Sequence, residues 1–390
     1  MINTERGRKF EWLYGKETGL LFLLLAGICF LNTLYAQHCS DKQATPATKA
    51  LYKNLYALKS EYTLFGQQDA LAYGVGWKGI SGQSDIRLLV NDQPGVYGWD
   101  IAHIELDSSR NIDGVPFKKM LQYIREGFER GAVITVSWHA RNPLSGGSAW
   151  DTTAGTVASI LPGGNKHVVF KKWLDKVASF FLQCRDKKGN AIPVLFRPFH
   201  EMTGNWFWWC KNVCTPGEYK QLWNFTRNYL QQEKKLHNLV YVYNSAGFAS
   251  PEEYLERYPG DDKVDVLSMD AYQYQQGKEQ RESFINTTRR QLTYIAAIAK
   301  EKKKIAALAE TGFEAVPDPQ WWTGTLWPAT KDIGISYVLV WRNHGYMAKE
   351  KKMHYYAPYP GQVSAADFKL FYSNRFLLFE KSLSKKNIYK

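Results

Sequence analysis

The stretch VPFKKMLQYIREGFERGAVITVSW, residues 115–138, places a helical pattern directly before a strand pattern. Residues 115–130 carry apolar side chains at helical spacing and stop before Gly131, a usual helix end. The AVITVSW that follows, residues 132–138, is almost continuously apolar, as strands buried on both faces of a parallel sheet are. This stretch therefore predicts a helix that packs beside a buried parallel strand.

The same alternation continues outward in both directions. Eight short β-rich segments occupy residues 62–66, 95–99, 132–138, 192–196, 239–243, 264–269, 305–309 and 335–341. Amphipathic helical patterns lie between them, and one of these opens with the capping box TPGE at residues 215–218 and continues through Gln232. The alternation predicts an α/β fold, a single (β/α)₈ TIM barrel. An open doubly wound sheet is the alternative, but GVG at residues 74–76 is a poor phosphate-binding turn because Trp77, not a helix, follows it.

No linker or low-complexity segment divides these patterns, so one barrel domain is expected over residues 45–385. Before it, residues 20–31 read LLFLLLAGICFL, follow a basic stretch and precede Ala36, where a signal peptidase could cut. The run is short for a membrane span. We therefore expect a signal peptide at residues 1–36 and export to the periplasm, the cell surface or the medium. The alternatives are an uncleaved anchor and a lipoprotein signal, since Cys29 and Cys39 lie nearby.

Removal of residues 1–36 would leave Cys39, Cys184, Cys210 and Cys214. In an oxidising compartment Cys210 and Cys214 could close a small loop, but all three full pairings stay open. No His or second Cys pair lies suitably near, so no metal site is expected. The formal net charge of +13 is spread over helical stretches without a recognition motif, which favours solvated helix faces over nucleic-acid binding. We expect a monomer.

The carboxyl ends of the predicted strands carry the polar groups that could do chemistry. In a barrel of this type these ends and the loops beyond them form the functional face. Glu201 and Glu310 end the fourth and seventh strands and so face each other across the barrel mouth. The other candidates at strand ends are His139 after the third strand, Arg197 and His200 in the fourth, Asp270 and Tyr272 in the sixth, and Trp341 and Arg342 in the eighth.

Paired carboxyl groups at a barrel mouth indicate a retaining glycosidase. Such enzymes use two carboxyls ~5–5.5 Å apart, one that protonates the leaving oxygen and one that attacks the anomeric carbon. The aromatic turn around Glu201 would raise its pKa and make it the general acid/base. Arg197 and Tyr272 are candidates for keeping Glu310 ionised as the nucleophile. Aromatic residues make up 15% of the chain, with 14 Trp, and indole faces are suited to stacking on sugar rings.

Six motifs carry a specific resemblance to a known family. They are LFGQQDALAYG at residues 64–74, WHARNPLSGGSAWD at 138–151, RPFHEMTGNWFWW at 197–209, DAY at 270–272, AETG at 309–312 and WRN at 341–343. Through these motifs the chain resembles glycoside hydrolase family 26 over residues 45–385, and most of all its bacterial β-mannanases. The string at 197–209 is the longest and the most distinctive.

The resemblance implies a role for each matching residue. Glu201 matches the acid/base of the family and Glu310 its nucleophile, while His200 would orient the nucleophile or the substrate. Tyr272 would hydrogen-bond Glu310. The remaining matches would bind the sugar: His139 and Trp206 would line the subsites beside the cleavage point, Asp270, Trp341 and Arg342 would complete the floor of the site, and Trp150 would form part of a sugar platform. Arg197 is also expected among the substrate-binding residues.

The implied reaction is hydrolysis of β-1,4-mannosidic bonds in mannan, galactomannan, glucomannan or manno-oligosaccharides by double displacement, with no metal or cofactor. A β-1,3-xylanase and a mixed-linkage β-glucanase are alternatives within the same family. A non-catalytic carbohydrate-binding barrel is the alternative from another class, but it would lack a catalytic carboxylate, and both are present. Endo and exo action both stay open, since they depend on the loops at 143–150 and 341–352.

Overall fold

The computed structural model describes residues 39–390, which form a closed barrel of eight parallel strands. The strands pair in chain order, and the eighth pairs with the first. Their bounds are β1 Thr63–Gln68, β2 Val96–Asp100, β3 Val133–Trp138, β4 Val194–Pro198, β5 Leu239–Ser245, β6 Val266–Gln273, β7 Ile305–Phe313 and β8 Tyr337–Val340. The predicted (β/α)₈ barrel is confirmed.

Helices connect the strands around the outside of the barrel. Their bounds are α1 Pro46–Leu58, α2 Asp85–Val90, α3 Phe117–Glu129, α4 Thr156–Ile160, α5 His167–Gln183, α6 Pro216–Asn228, α7 Pro251–Leu255, α8 Lys278–Glu301, α9 Trp327–Thr330, α10 Ala365–Tyr372 and α11 Glu380–Ser384. The predicted capping box of α6 is confirmed, because Thr215 Oγ1 accepts the N–H of Glu218 while the Glu218 carboxylate accepts the N–H of Thr215. A π-helical turn, Tyr229–Glu233, continues α6.

Alternate residues of the strands build two separate layers of the core. Aliphatic side chains such as Leu64, Val133 and Leu195 belong to the layer inside the barrel, whereas Phe196 belongs to the layer under the helices. This period of two follows from strand geometry, and the inward-facing side chains form a packed layer inside the barrel. Arg197 follows Phe196 and therefore points back into the barrel, at the level of its mouth.

Each of the eight predicted strands is present, but several strand ends differ from the prediction. The sixth and seventh strands were expected to end at residues 269 and 309, whereas β6 runs to Gln273 and β7 to Phe313. The difference has a physical reason: the backbone pairing of β6 with β7 continues through these polar residues. Asp270 and Glu310 consequently lie inside strands and not in the loops beyond them.

The four described cysteines are buried free thiols. The prediction that Cys210 and Cys214 could close a loop is therefore wrong for this structure. Each of the two thiols donates to a backbone carbonyl instead, Cys210 Sγ to Glu201 O at 3.4 Å and Cys214 Sγ to Trp209 O at 3.3 Å. The aromatic turn after β4 is thus held by hydrogen bonds and packing.

The sequence predicted a feature at the N-terminal end of the chain but not the short strand near the C-terminal end. The signal peptide expected at residues 1–36 lies outside the described residues. Within residues 39–390, no helix is both long enough and apolar enough to cross a membrane. At the other end, a short strand β9, Leu377–Leu378, pairs with the start of β1, and Glu380 accepts hydrogen bonds from Arg130 and Tyr97.

Candidate active site

The carboxyl ends of β4 and β7 bring Glu201 and Glu310 together at the barrel mouth. One carboxylate oxygen from each of Glu201, Asp270 and Glu310 lies within 4.8 Å of the other two. Retaining glycosidases hold their two carboxyls ~5–5.5 Å apart, whereas inverting enzymes leave ~6.5–9.5 Å for a water molecule. The separation of the two glutamates therefore suits a retaining pair.

A β-bulge in β7 aims Glu310 into the mouth. Met269 pairs with Leu308, but the next residue, Asp270, pairs with Glu310, so Ala309 is an extra residue in β7. The pairing of β7 with β8 shifts in the same region. One extra residue reverses the in–out alternation of the strand beyond it. Without the bulge, Glu310 would follow the inward-facing Ala309 and point toward the helices.

Glu310 is buried among hydrogen-bond donors. Arg197 donates to Glu310 Oε1 and, at 2.8 Å, to Asp270 Oδ2, and the Tyr272 hydroxyl donates to Glu310 Oε2 at 2.8 Å. Burial opposes the charge of the guanidinium, but the Asp270 and Glu310 carboxylates raise the pKa of Arg197 above its usual value, so that it stays charged. A charged guanidinium and a phenol thus hold the two oxygens of Glu310 in place at the barrel mouth.

Glu201 lies at the end of a strained turn. Phe199 and Glu201 have φ angles of 50° and 54°, a left-handed conformation that residues other than glycine seldom adopt. Asn244, in β5, holds this turn because its Oδ1 accepts the backbone N–H of Glu201 at 2.8 Å. Trp206 Nε1 then donates to Glu201 Oε2 at 2.6 Å. The turn and the indole together fix the carboxyl opposite Glu310.

The surroundings of Glu201 favour its protonated form near neutral pH. Burial and the negative charge of Glu310 raise the pKa of Glu201 to about 7, against the opposing effects of the Trp206 hydrogen bond and the Arg197 charge. A carboxyl that starts protonated can act as a general acid. The raised pKa of Glu201 therefore suits a general acid near neutral pH.

The three clustered carboxylates are also the ligand type that a divalent cation prefers. Their oxygens, however, already accept hydrogen bonds from protein donors. Glu310 accepts hydrogen bonds from Arg197 and Tyr272. Asp270 accepts from Arg197 and Asn244, and Glu201 accepts from the indole of Trp206. The positive charge of this cluster is supplied by the guanidinium, which fits proton-transfer chemistry by the side chains themselves.

His139 and His200 form a buried pair beside Glu201. His139 Nδ1 lies 2.7 Å from Asp100 Oδ2, and His139 Nε2 lies 3.1 Å from His200 Nε2. Burial lowers the pKa of His139, but Asp100 more than offsets this and the pKa rises; burial and the charge of His139 lower the pKa of His200. Among the described residues His200 Nδ1 has no hydrogen-bond partner, so the expected role of His200 in orienting Glu310 has no hydrogen bond behind it.

Aromatic rings line the open part of the site. Trp150 is 48% exposed and stacks on His139, with ring centroids 5.3 Å apart and an interplanar angle of 17°. Trp341 lies edge-on to the same imidazole at 6.5 Å. Trp206 is 38% exposed, whereas the three aromatic residues at 207–209 are buried. The aromatic string after β4 therefore divides into one ring that faces the cleft and three that pack in the core.

Two predicted sugar-binding residues make their contacts with other protein groups. Arg342 Nη1 pairs with Asp113 Oδ1 at 3.0 Å, which joins the loops that follow β8 and β2. The Asp270 side chain is 0% exposed, and its oxygens accept hydrogen bonds from Arg197 and Asn244. Asp270 is therefore placed to orient Arg197, while Arg342 is paired with Asp113.

The sequence candidates omit three residues of this site: Asp100, Asn244 and Tyr274. Asp100 ends β2 and Asn244 lies near the end of β5, so inspection of every strand end would have found both. Tyr274 follows β6 and is 84% exposed. Its exposure has no sequence signal, because an aromatic residue beside a strand is usually part of the core.

Comparison with known proteins gives consistent matches. A family model described as glycosyl hydrolase family 26 matches residues 40–325. The chain is similar to a mannan endo-1,4-beta-mannosidase from Bifidobacterium adolescentis, 31% identical over 360 residues, which cover 88% of this chain and 35% of that protein. The chain thus spans about a third of the length of this relative.

Solved structures extend the similarity to the whole barrel. A GH26 beta-mannanase from Bacteroides ovatus is 45% identical, with a TM-score of 0.82 and coverage of 87% of this chain and 97% of that chain. GH26C from a Muricauda species is 32% identical, with a TM-score of 0.81 and coverage of 90% and 96%. The family match, the barrel and the carboxyl pair at its mouth agree. The chain belongs to glycoside hydrolase family 26.

Proposed function

We propose that this chain is a retaining β-mannanase that hydrolyses β-1,4-mannosidic bonds. The observation that carries the proposal is the carboxyl pair: one oxygen of Glu201 lies within 4.8 Å of one oxygen of Glu310. Arg197 and Tyr272 donate hydrogen bonds to the two oxygens of Glu310, and burial with the charge of Glu310 raises the pKa of Glu201 to about 7. A carboxyl with a raised pKa beside a second carboxyl that is held by hydrogen bonds suits the general acid and the nucleophile of double displacement.

In the first step, a Glu310 oxygen bonds to the anomeric carbon while the bond from that carbon to the leaving oxygen breaks. The proton of Glu201 passes to the leaving oxygen, so the departing sugar leaves as a neutral alcohol. Glu310 becomes a neutral ester, and its charge no longer acts on Glu201. The pKa of Glu201 therefore falls at the moment when the residue has to remain ionised.

In the second step, water replaces the departed sugar and attacks the same carbon. Glu201, now a carboxylate, takes a proton from this water while the ester bond to Glu310 breaks. The released Glu310 carboxylate again raises the pKa of Glu201, which keeps the proton for the next cycle. Two displacements at one carbon give a product with the configuration of the substrate.

Mannan is the proposed substrate because the relatives point to it. The names of the relatives from Bifidobacterium adolescentis and from Thermothelomyces thermophilus both specify mannan endo-1,4-beta-mannosidase. The exposed indoles of Trp150 and Trp206 beside the carboxyl pair suit a neutral polysaccharide. β-1,3-Xylan and mixed-linkage β-glucan lack the axial 2-hydroxyl of mannose, so a direct comparison of substrates separates the three activities.

The test is a panel of linear mannan, galactomannan, β-1,3-xylan and lichenan. We expect reducing ends from the first two, and hydrolysis of xylan or lichenan alone would contradict the mannanase assignment. Glu310→Ala should retain at most roughly a thousandth of wild-type turnover, because the covalent step is lost. Glu301→Ala, which changes an exposed glutamate at the end of α8, is the matched control and should keep full activity.

We also propose that residues 1–36 direct export and that the mature chain acts as a monomer. The basic stretch and the apolar run at residues 20–31 support the export signal. Intact-mass measurement of the protein from each cell fraction tests it. A mass that starts after residue 36 is expected outside the cytoplasm; an unprocessed N-terminus or a lipid-modified cysteine would contradict it. Sizing of the same material should give the mass of one chain.

A further inference from the structure

α1 and the last residues of the chain cover the end of the barrel opposite the active site. The Tyr52 hydroxyl, in α1, donates to Lys303 O at 3.1 Å, just before β7 begins. The Tyr389 hydroxyl, near the C-terminus, donates to Ala132 O at 2.7 Å, directly before β3. Both segments therefore lie at the amino-terminal ends of the strands, whereas the two glutamates of the site lie at the carboxyl-terminal ends.

The two segments form one continuous surface. Asn54 Nδ2, in α1, donates to Ile388 O at 2.9 Å and to Lys390 O at 3.2 Å. Buried side chains of both segments belong to the core layer inside the barrel, so this surface is fixed to the barrel by packing. We call the surface made by residues 42–60 and 385–390 the basal face.

The basal face is strongly basic. Its two segments contain seven lysines and no Asp or Glu: Lys42, Lys49, Lys53, Lys59, Lys385, Lys386 and Lys390. Lys59 is half-buried and the other six are exposed. The lysine ion pairs within residues 39–390 are made by other lysines. The positive charge of the basal face is therefore available to a partner.

Neighbouring segments bring further cations to its edge. Burial and the charge of Lys300 both lower the pKa of Lys59, so these two ammonium groups lie close enough to repel each other. Arg375 is exposed and lines the same cavity as Lys59. Glu61 and Asp332 also line that cavity, and these two carboxylates leave a large excess of positive charge.

Aromatic rings lie among these cations. The ammonium groups of Lys59 and Lys386 each lie 4.4 Å from a ring centre, that of Tyr56 and that of Tyr62 respectively. Phe376, at the edge of the face, is 43% exposed. Cations beside exposed rings suit the surface of a membrane, where anionic headgroups cover an apolar layer. Nucleic acids are more often bound through the planar fork of arginine, and all seven cations of the basal face are lysines.

We propose that the basal face docks on a membrane surface that carries anionic lipids. The lysines lie against the lipid phosphates, and the ring of Phe376 lies in the headgroup layer. Because the basal face and the carboxyl pair are at opposite ends of the barrel, docking leaves the cleft open to a polysaccharide on the side away from the membrane. The inference is independent of the proposed function, since no residue of the site takes part in it.

The experiment measures binding of the full chain to two kinds of lipid vesicle. One contains phosphatidylcholine alone, and the other contains equal parts of phosphatidylcholine and phosphatidylglycerol. Sedimentation with the vesicles at low salt should give a Kd at least about tenfold lower for the anionic vesicles. This binding should weaken as salt is added, because the charges are then screened.

Two variants with the same change in net charge separate the basal face from the charge of the whole chain. The first should bind the anionic vesicles at least about tenfold more weakly than the wild type; its changes are Lys49→Glu, Lys53→Glu, Lys386→Glu and Lys390→Glu. The second changes exposed lysines in the first two turns of α3 and α5, toward the opposite end of the barrel, and should lose less than about threefold; its changes are Lys118→Glu, Lys119→Glu, Lys171→Glu and Lys172→Glu. Residues 1–36 are identical in all three proteins, so a difference between the variants reports on the basal face.

Three results would overturn the inference. They are equal binding of the wild type to both kinds of vesicle, equal losses in the two variants, and binding to duplex DNA without binding to the anionic vesicles. Both variants should hydrolyse soluble mannan at the wild-type rate and keep the wild-type melting temperature, which verifies their folding. Failure of the wild type to cleave mannan would overturn the proposed function and leave the vesicle result intact.

Discussion

Glu201 and Glu310 carry the same carboxyl group but accept hydrogen bonds from different donors. Glu310 accepts from a charged guanidinium and a phenol, whereas Glu201 accepts from a neutral indole and lies close to the charge of Glu310. A cation stabilises a carboxylate, and a neighbouring anion destabilises one. In the proposed mechanism these different surroundings, together with the burial of Glu201, distinguish the proton donor Glu201 from the nucleophile Glu310.

The pH dependence of activity follows from the pKa of Glu201. Because the acid must be protonated, kcat/KM should fall as the pH rises through about 7. Trp206 donates to the Glu201 carboxylate and lowers its pKa, so Trp206→Phe should move the alkaline limb of the profile to higher pH. Profiles of both proteins on one small aryl mannoside test this. A limb that stays in place, or moves to lower pH, would contradict the assignment of the limb to Glu201.

Asp100 controls the charge of His139 and so the polarity of the imidazole pair. Burial would raise the pKa of Asp100, but His139 lowers it, and the pKa of His139 rises in return. In Asp100→Asn the pKa of His139 should drop, since burial is then opposed only by the smaller effects of the Glu310 and Asp113 charges. NMR titration of the imidazole resonances, assigned with His139→Gln, measures the drop. An unchanged pKa would show that Asp100 does not hold the charge.

The same pair predicts how the stability of Asp100→Asn varies with pH. The pKa of His139 is higher in the folded protein than in the unfolded chain, so this group stabilises the fold below the unfolded pKa and ceases to do so as the pH rises through the folded pKa. The pKa of Asp100 is lower in the folded protein, so this group stabilises the fold above its unfolded pKa and ceases to do so as the pH falls through its folded pKa. The free energy of unfolding of the wild type should therefore exceed that of the variant most between roughly pH 4 and 6.5. Urea unfolding at several pH values measures this, and a constant difference would count against the ion pair.

At the scale of elements, two departures from regular geometry place the carboxyls. The bulge at Ala309 turns Glu310 inward, and the left-handed turn at residues 199–201 turns Glu201 toward it. Neither departure has a sequence signal, because neither contains a glycine at the irregular position. The sequence therefore predicted both glutamates at strand ends, but it predicted β7 to end at residue 309, before the bulge was complete.

Asn244 joins the end of β5 to this turn. Its Oδ1 accepts the N–H of Glu201, and its Nδ2 donates to Asp270 Oδ1 at 2.8 Å. Asn244→Ala should lower kcat by on the order of a hundredfold, because the acid loses its fixed position. The KM should change little, since the exposed rings of the cleft remain. Steady-state kinetics on mannohexaose, with a melting curve to verify folding, measures both constants.

The control for this variant lies on the same strand. Ser245, the residue after Asn244, is buried but has no hydrogen bond from its hydroxyl among the described residues. Ser245→Ala should therefore leave kcat near the wild-type value. A similar loss of kcat in both variants would show that β5 tolerates no change there, and it would remove the specific role of Asn244.

At the scale of the whole molecule, the barrel could be predicted because every strand is buried on both faces. Because one face of each strand packs inside the barrel and the other packs under the helices, the strand sequences are apolar, as in LVYVY at residues 239–243. This segment forms a β-strand in the structure, as predicted. The terminal strand Leu377–Leu378 could not be predicted, since two residues give no period. It forms only because the returning chain meets the free start of β1.

The residues of the candidate site that lie at strand ends could be predicted from the sequence, whereas those placed by loops could not. Glu201, Glu310 and Tyr272 were found because strand order brings their segments to one face of the barrel. The pairing of Arg342 with Asp113 and the exposure of Tyr274 depend on loop conformation, which strand patterns do not encode. For this reason the sequence predicts the type of reaction better than it predicts which residues contact the sugar chain along the cleft.

In the proposed mechanism, Glu310 forms a covalent bond to the substrate. A dinitrophenyl 2-deoxy-2-fluoro-β-mannobioside tests it directly, because the fluorine slows hydrolysis of the ester and the good leaving group allows it to form. Peptide mapping by mass spectrometry then locates the sugar. We expect one fluorinated disaccharide per chain, on the peptide that contains Glu310. A label on any other residue, or no label together with products of inverted anomeric configuration, would contradict it.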